Sequence, residues 1–160
     1  MSGPLRSAAS GFRAAGSALA VVLRVLGCVD LLALAAAAMP QAWMAKGHAW
    51  AGLGPWPDAP IVGYLGRSAS LLYALHGATV VFISFDLDRY RPLITFLAVI
   101  ALLHGAAMLG IDLAERMPPW WTAVEGPAFS ATGAVVLSLQ WLGGRGRASG
   151  WTAPGSGPGG

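Results

Sequence analysis

Charge is scarce in this chain. Of its 160 residues only 11% are charged, against roughly 25% in an ordinary soluble domain. Hydrophobic residues make up 56%, and mean hydropathy is +0.61. A water-soluble globule of this composition would lack the polar groups to cover its surface. Cysteine is nearly absent as well: Cys28 stands alone, which excludes an intrachain disulfide framework and a paired CxxC motif. No Walker loop, HExxH or GxSxG pattern occurs, so no motif points to nucleotide, zinc-peptidase or serine-hydrolase chemistry. The pI of about 9.6 comes without a basic patch interleaved with aromatics, and it does not indicate nucleic acid. An integral membrane protein, with the lipid bilayer as its first partner, is what this composition leaves.

What the chain does have is long apolar runs. Four of them, at residues 17–38, 61–85, 92–113 and 123–142, come near the length that crosses a hydrocarbon core of roughly 30 Å. Lipid offers backbone N–H and C=O groups no partner, so each run is predicted to be helical. The expected fold is all-α: a four-helix transmembrane bundle at residues 17–143, with a cytoplasmic N-terminal tail (1–16) and a disordered cytoplasmic tail (144–160) rich in Gly, Ser and Pro. Pro92 suits the first turn of the third run, and Pro127 lies early in the fourth. The first run has a second reading as a cleaved secretory signal, because Arg6 and Arg13 precede it and small residues fill positions 36–38. Arg24 and Asp30 interrupt its apolar stretch and argue against that.

Six basic residues flank one side of these runs (Arg6, Arg13, Arg89, Arg91, Arg145, Arg147) and two flank the other (Lys46, Arg116). The positive-inside rule therefore places both termini in the cytoplasm. Residues 39–60 form a 22-residue outer loop carrying Trp43, Trp50 and Trp56, and the third loop adds Trp120 and Trp121. These five read as interfacial anchors, with a short helix expected around residues 41–50. The six-residue turn 86–91 predicts a tight hairpin of the second and third runs.

Small residues recur every fourth position in two runs: Gly66, Ser70, Ala74, Ala78 in the second and Gly126, Ser130, Ala134, Ser138 in the fourth. Such stripes let helix backbones approach closely, so these two helices are expected to pack side by side, with self-association into a homo-oligomer as the other use of the stripes. Arg67 and Glu125 would then meet at one depth. With Asp112 they form an expected polar centre, joined by Ser70 and Tyr73, because an unpaired charge inside a membrane is costly. A second layer holds Asp30, His76 and His104, and each of these two histidines sits in the same tetrapeptide, Leu-His-Gly-Ala. That layer can be read as a pair of axial ligands to haem b, a metal or proton site, or structural hydrogen bonding between helices.

Three stretches also resemble a known group: RSASLLYALHG at 67–77, DLDRY at 86–90, and MPPWW at 117–121 leading to EGP at 125–127. They resemble an uncharacterised family of small bacterial four-span membrane proteins, over about residues 39–143. The resemblance implies a multi-pass protein of the bacterial inner membrane and adds no activity. The function expected from the sequence is non-enzymatic: an accessory subunit of a membrane complex, or a small-molecule or proton carrier, centred on Arg67, Asp112 and Glu125. The alternative is a haem b electron-transfer protein ligated by His76 and His104.

Overall fold

The computed structural model describes the backbone of residues 3–149 and the side chains of residues 14–144. Every regular element among them is an α-helix: α1 (Gly3–Leu31), α2 (Ala33–Ala38), α3 (Gln41–Trp50), α4 (Pro60–Ile83), α5 (Arg91–Ala114) and α6 (Pro119–Ser149). Two helical segments are long and apolar enough to cross a membrane, namely Ala14–Ala38, which joins the end of α1 to α2, and Arg91–Ala114. The helices α4 and α6 have 24 and 31 residues, but Arg67, His76 and Glu125 dilute their apolar character.

The helix boundaries follow from local chemistry. A proline occupies the first turn of both α4 and α5, where its missing N–H removes no intrahelical bond. At the far end of α5, Arg116 adopts the left-handed conformation (φ 56°). The Met117 N–H returns to the Asp112 carbonyl at 2.9 Å, the bond of a Schellman cap in which arginine stands where glycine is usual. Between α1 and α2 the helix tightens at Leu32, whose N–H is shared by the carbonyls of Cys28 (3.3 Å) and Val29 (3.0 Å). The helix α6 contains Pro127 and continues to Ser149. Residues 144–149, expected to be disordered, are thus helical, and 150–160 lie outside the described residues. The N-terminal tail is likewise helical from Gly3.

The packing differs from the expected pattern of neighbours. The helix α4 packs antiparallel on α1 and α2, α6 packs antiparallel on α5, and α1 joins the two pairs by packing on α6. The two chain neighbours α4 and α5 barely meet beyond their turn, so the expected tight hairpin is a gap. The two small-residue stripes do not face each other either. Backbones approach closely at other glycines. A Cβ on Gly77 would lie 2.5 Å from the Gly27 carbonyl oxygen, and one on Gly105 would lie 2.5 Å from that of Gly126. Gly133 meets the Ala98 carbonyl in the same way. Of the predicted stripes, Gly126 and Ser130 do serve a seam, but with α5, and Ala74 is buried, whereas Ala78, Ala134 and Ser138 are exposed.

A core shared by all four long helices lies toward the 84–90 turn, where Leu19, Leu23, Val80, Ile83, Ile94, Ala98 and Val136 are buried together. Elsewhere the outer faces carry large apolar side chains in the open, among them Val21, Val25, Val29, Phe82, Phe96 and Leu103.

Candidate functional site

The gap between α4 and α5 forms a concavity whose lining is almost wholly apolar and aromatic. Its walls are Ala69, Leu72, Tyr73 and His76 from α4 and Leu97, Ile100, Ala101 and His104 from α5, with Phe129 of α6 at its base. That chamber has a volume of about 360 Å³. A smaller one of about 180 Å³ continues inward toward the shared core, and His76, Leu97, Ala101 and Phe129 line both. The two chambers form one crevice.

Inside it, His76 Nδ1 lies 2.8 Å from Asp30 Oδ2. The carboxylate belongs to α1 and the imidazole to α4, held together because Gly77, the next residue, brings the two backbones into contact at Gly27. The pair is half open: the His76 side chain is 50% exposed and that of Asp30 27%. Across the gap, His104 sets its ring edge-on to Phe129 at 4.6 Å, and Phe129 stacks with Tyr73 at 6.4 Å. An aromatic row therefore bridges α4, α6 and α5 at the base of the crevice. No group of three or more His, Cys, Asp or Glu side chains capable of holding a metal exists among the described residues.

The expected centre of Arg67, Asp112 and Glu125 is not joined by ion pairs. Arg67 donates from Nη1 to the Ala37 carbonyl (2.6 Å) and from Nη2 to the Met39 carbonyl (2.7 Å), closing the open end of α2. Its position on α4 faces α1–α2, whereas both carboxylates ride on the α5–α6 pair. Glu125 accepts from Trp121 Nε1 at 2.5 Å within α6. Asp112 is 2% exposed, and its Oδ2 is buried with no hydrogen-bond partner. Ser70 donates to the Gly66 carbonyl of its own helix (2.8 Å). Tyr73 alone of that set lines the crevice.

The tryptophans expected to act as interfacial anchors divide. Trp43, Trp50 and Trp120 are exposed. Trp56 packs edge-on to His48 at 5.4 Å, and His48 Nδ1 approaches the Gly54 carbonyl at 3.0 Å, folding the segment after α3 back on it. Trp121 stacks in a T with Trp120 at 5.4 Å. Toward the other end, Arg24 contacts Ser84 Oγ (3.3 Å) and lies 5.1 Å over the Phe85 ring. Arg24 was legible only as a charge inside an apolar run, since its partners are 60 residues away. No protein-family model, curated protein or solved structure matches this chain.

Proposed function

We propose that the chain is a four-span protein of the bacterial inner membrane, both termini cytoplasmic, that carries a small membrane-dissolved molecule or serves as an accessory subunit presenting one. The observation that carries this reading is the crevice between α4 and α5, apolar on both walls and furnished with the Asp30–His76 pair. A multi-pass arrangement accounts for the exposed Val, Leu and Phe side chains on the outer faces, which water would disfavour and lipid accepts. At 1.5 Å per residue, the 24 residues of α4 extend about 36 Å. Ionisable groups at membrane depth are retained chiefly where they face a cavity or each other, and Asp30 with His76 does both. The polar centre thereby moves from Arg67, Asp112 and Glu125 to the crevice.

The test is to purify the protein in mild detergent, extract it with organic solvent, and identify by mass spectrometry any lipid-soluble molecule held in stoichiometric amount. Ala101 lines both chambers, so Ala101→Phe should displace that molecule. Equal content in both proteins would overturn the reading.

The haem b alternative keeps one favourable observation: His76 and His104 line one chamber, and the Asp30 contact leaves His76 Nε2 available as an axial ligand. Against it, Phe129 packs on the His104 ring. An absorption spectrum, oxidised and then dithionite-reduced, decides. A haem spectrum lost in both His76→Ala and His104→Ala would establish it, and a featureless spectrum from haem-fed cells would retire it.

A further inference from the structure

We infer that the crevice selects a molecule carrying a weakly acidic ring hydroxyl, a phenol or quinol with an apolar tail, and that His76 Nε2 accepts its hydrogen bond. This rests on the carrier reading above and narrows it to a chemical class.

The repeated tetrapeptide sets the positions of the two imidazoles. Successive residues on a helix are about 100° apart. The glycine of each Leu-His-Gly-Ala occupies a helix seam, Gly77 against α1 and Gly105 against α6, so the preceding histidine is set beside that seam and meets the crevice. The repeat thus delivers one imidazole from each wall. The two are not equivalent. With Asp30 as acceptor, His76 Nδ1 carries the hydrogen, and a neutral imidazole then keeps its lone pair on Nε2. That atom wants an O–H, not a carbonyl. Should a proton move from the ligand to Nε2, the adjacent carboxylate stabilises the imidazolium that results, which favours a hydroxyl of low pKa over an aliphatic alcohol.

The remaining surface selects the body of the ligand. The row of Tyr73, Phe129 and His104 offers aromatic faces and edges for a flat ring. Leu72, Leu97 and Ile100 complete an apolar wall. A volume of about 360 Å³ falls at the lower end of the roughly 300–1,000 Å³ typical of small-molecule sites. It admits a ring and the start of a tail. The tail leaves between α4 and α5, where the helices do not close on each other.

The experiment uses the full-length protein in phosphatidylethanolamine–phosphatidylglycerol nanodiscs and two probes. One is 2-heptyl-4-hydroxyquinoline N-oxide, a fluorescent hydroxylated ring with an alkyl tail, and the other is its O-methyl ether. Saturable binding of the hydroxylated probe, at least tenfold tighter than the ether, is expected. His76→Ala should weaken the hydroxylated probe at least tenfold and leave the ether unchanged. His76→Phe, a flat ring without a lone pair, serves as the second variant should His76→Ala fail to give a monodisperse protein. Ala101→Phe should abolish binding of both probes. If both bind equally and neither His76 variant matters, while Ala101→Phe still removes them, the hydroxyl class is overturned and the crevice is a site for acyl chains. If neither probe binds saturably the inference also falls, and the extraction experiment judges the carrier reading separately.

Discussion

Arg67 reaches from α4 to the carbonyl oxygens of Ala37 and Met39, fastening the end of α2 with two charge-assisted hydrogen bonds. Hydrogen bonds to a charged group contribute about 1.5–3 kcal/mol each, so Arg67→Ala, which removes two, should lower stability in detergent by about 3–6 kcal/mol, and Arg67→Lys by roughly half of that. Glu125 has its own partner in Trp121. The double variant Arg67→Ala/Glu125→Ala should therefore melt at the sum of the single effects, within about 0.5 kcal/mol. Strong coupling would mean that the two charges meet after all.

Glycines in the seams and glycines on open faces should respond in opposite ways. Gly77→Ala and Gly105→Ala each place a methyl against a neighbouring backbone, and such overpacking costs about 1–3 kcal/mol. Gly110 lies on α5 with nothing near its would-be Cβ. There Gly110→Ala should be neutral or stabilising by up to about 1 kcal/mol, through helix propensity alone. Thermal unfolding followed by helical circular dichroism separates the two classes.

Asp112 is a buried carboxyl with a bare oxygen. Burying an unpaired polar group costs about 1–3 kcal/mol by mutational measures. Asp112→Leu should consequently raise the melting temperature, and Asp112→Asn should leave it unchanged or raise it slightly. A loss of stability in both would show that the carboxyl has a partner in the folded protein.

Arg116 holds a left-handed conformation at the end of α5. A side chain there is strained, and glycine is not. Arg116→Gly should stabilise by about 0.5–1 kcal/mol, read as a shift of the same unfolding transition.

The helical class, the two most apolar segments and the two crevice histidines could all be read from one-dimensional pattern, because hydrophobic length and residue type are local properties. The choice of neighbours could not. Gly66, Ser70, Ala74 and Ala78 promised a seam, yet the backbone contact runs through Gly77, one position off that stripe, since α4 turns its Gly77 side to α1. Depth along a helix likewise suggested that Arg67 and Glu125 should pair, but depth carries no azimuth, and the two charges ride on different helix pairs. The Leu-His-Gly-Ala repeat was visible from the start. Its glycine serves helix contact, and the histidine's place in the crevice follows from that.

Two helix pairs joined along α1 and α6 and parted between α4 and α5 resemble a book standing ajar, and the proposed four-span arrangement turns its fore edge to the bilayer. Under the proposed carrier reading, acyl chains are the solvent of the crevice, and occupancy is an exchange of guest for lipid. Affinity for such a site is set by the mole fraction of guest in the membrane, not by its concentration in water. Diluting the protein in buffer would leave the guest in place, whereas diluting it with added phospholipid would strip it.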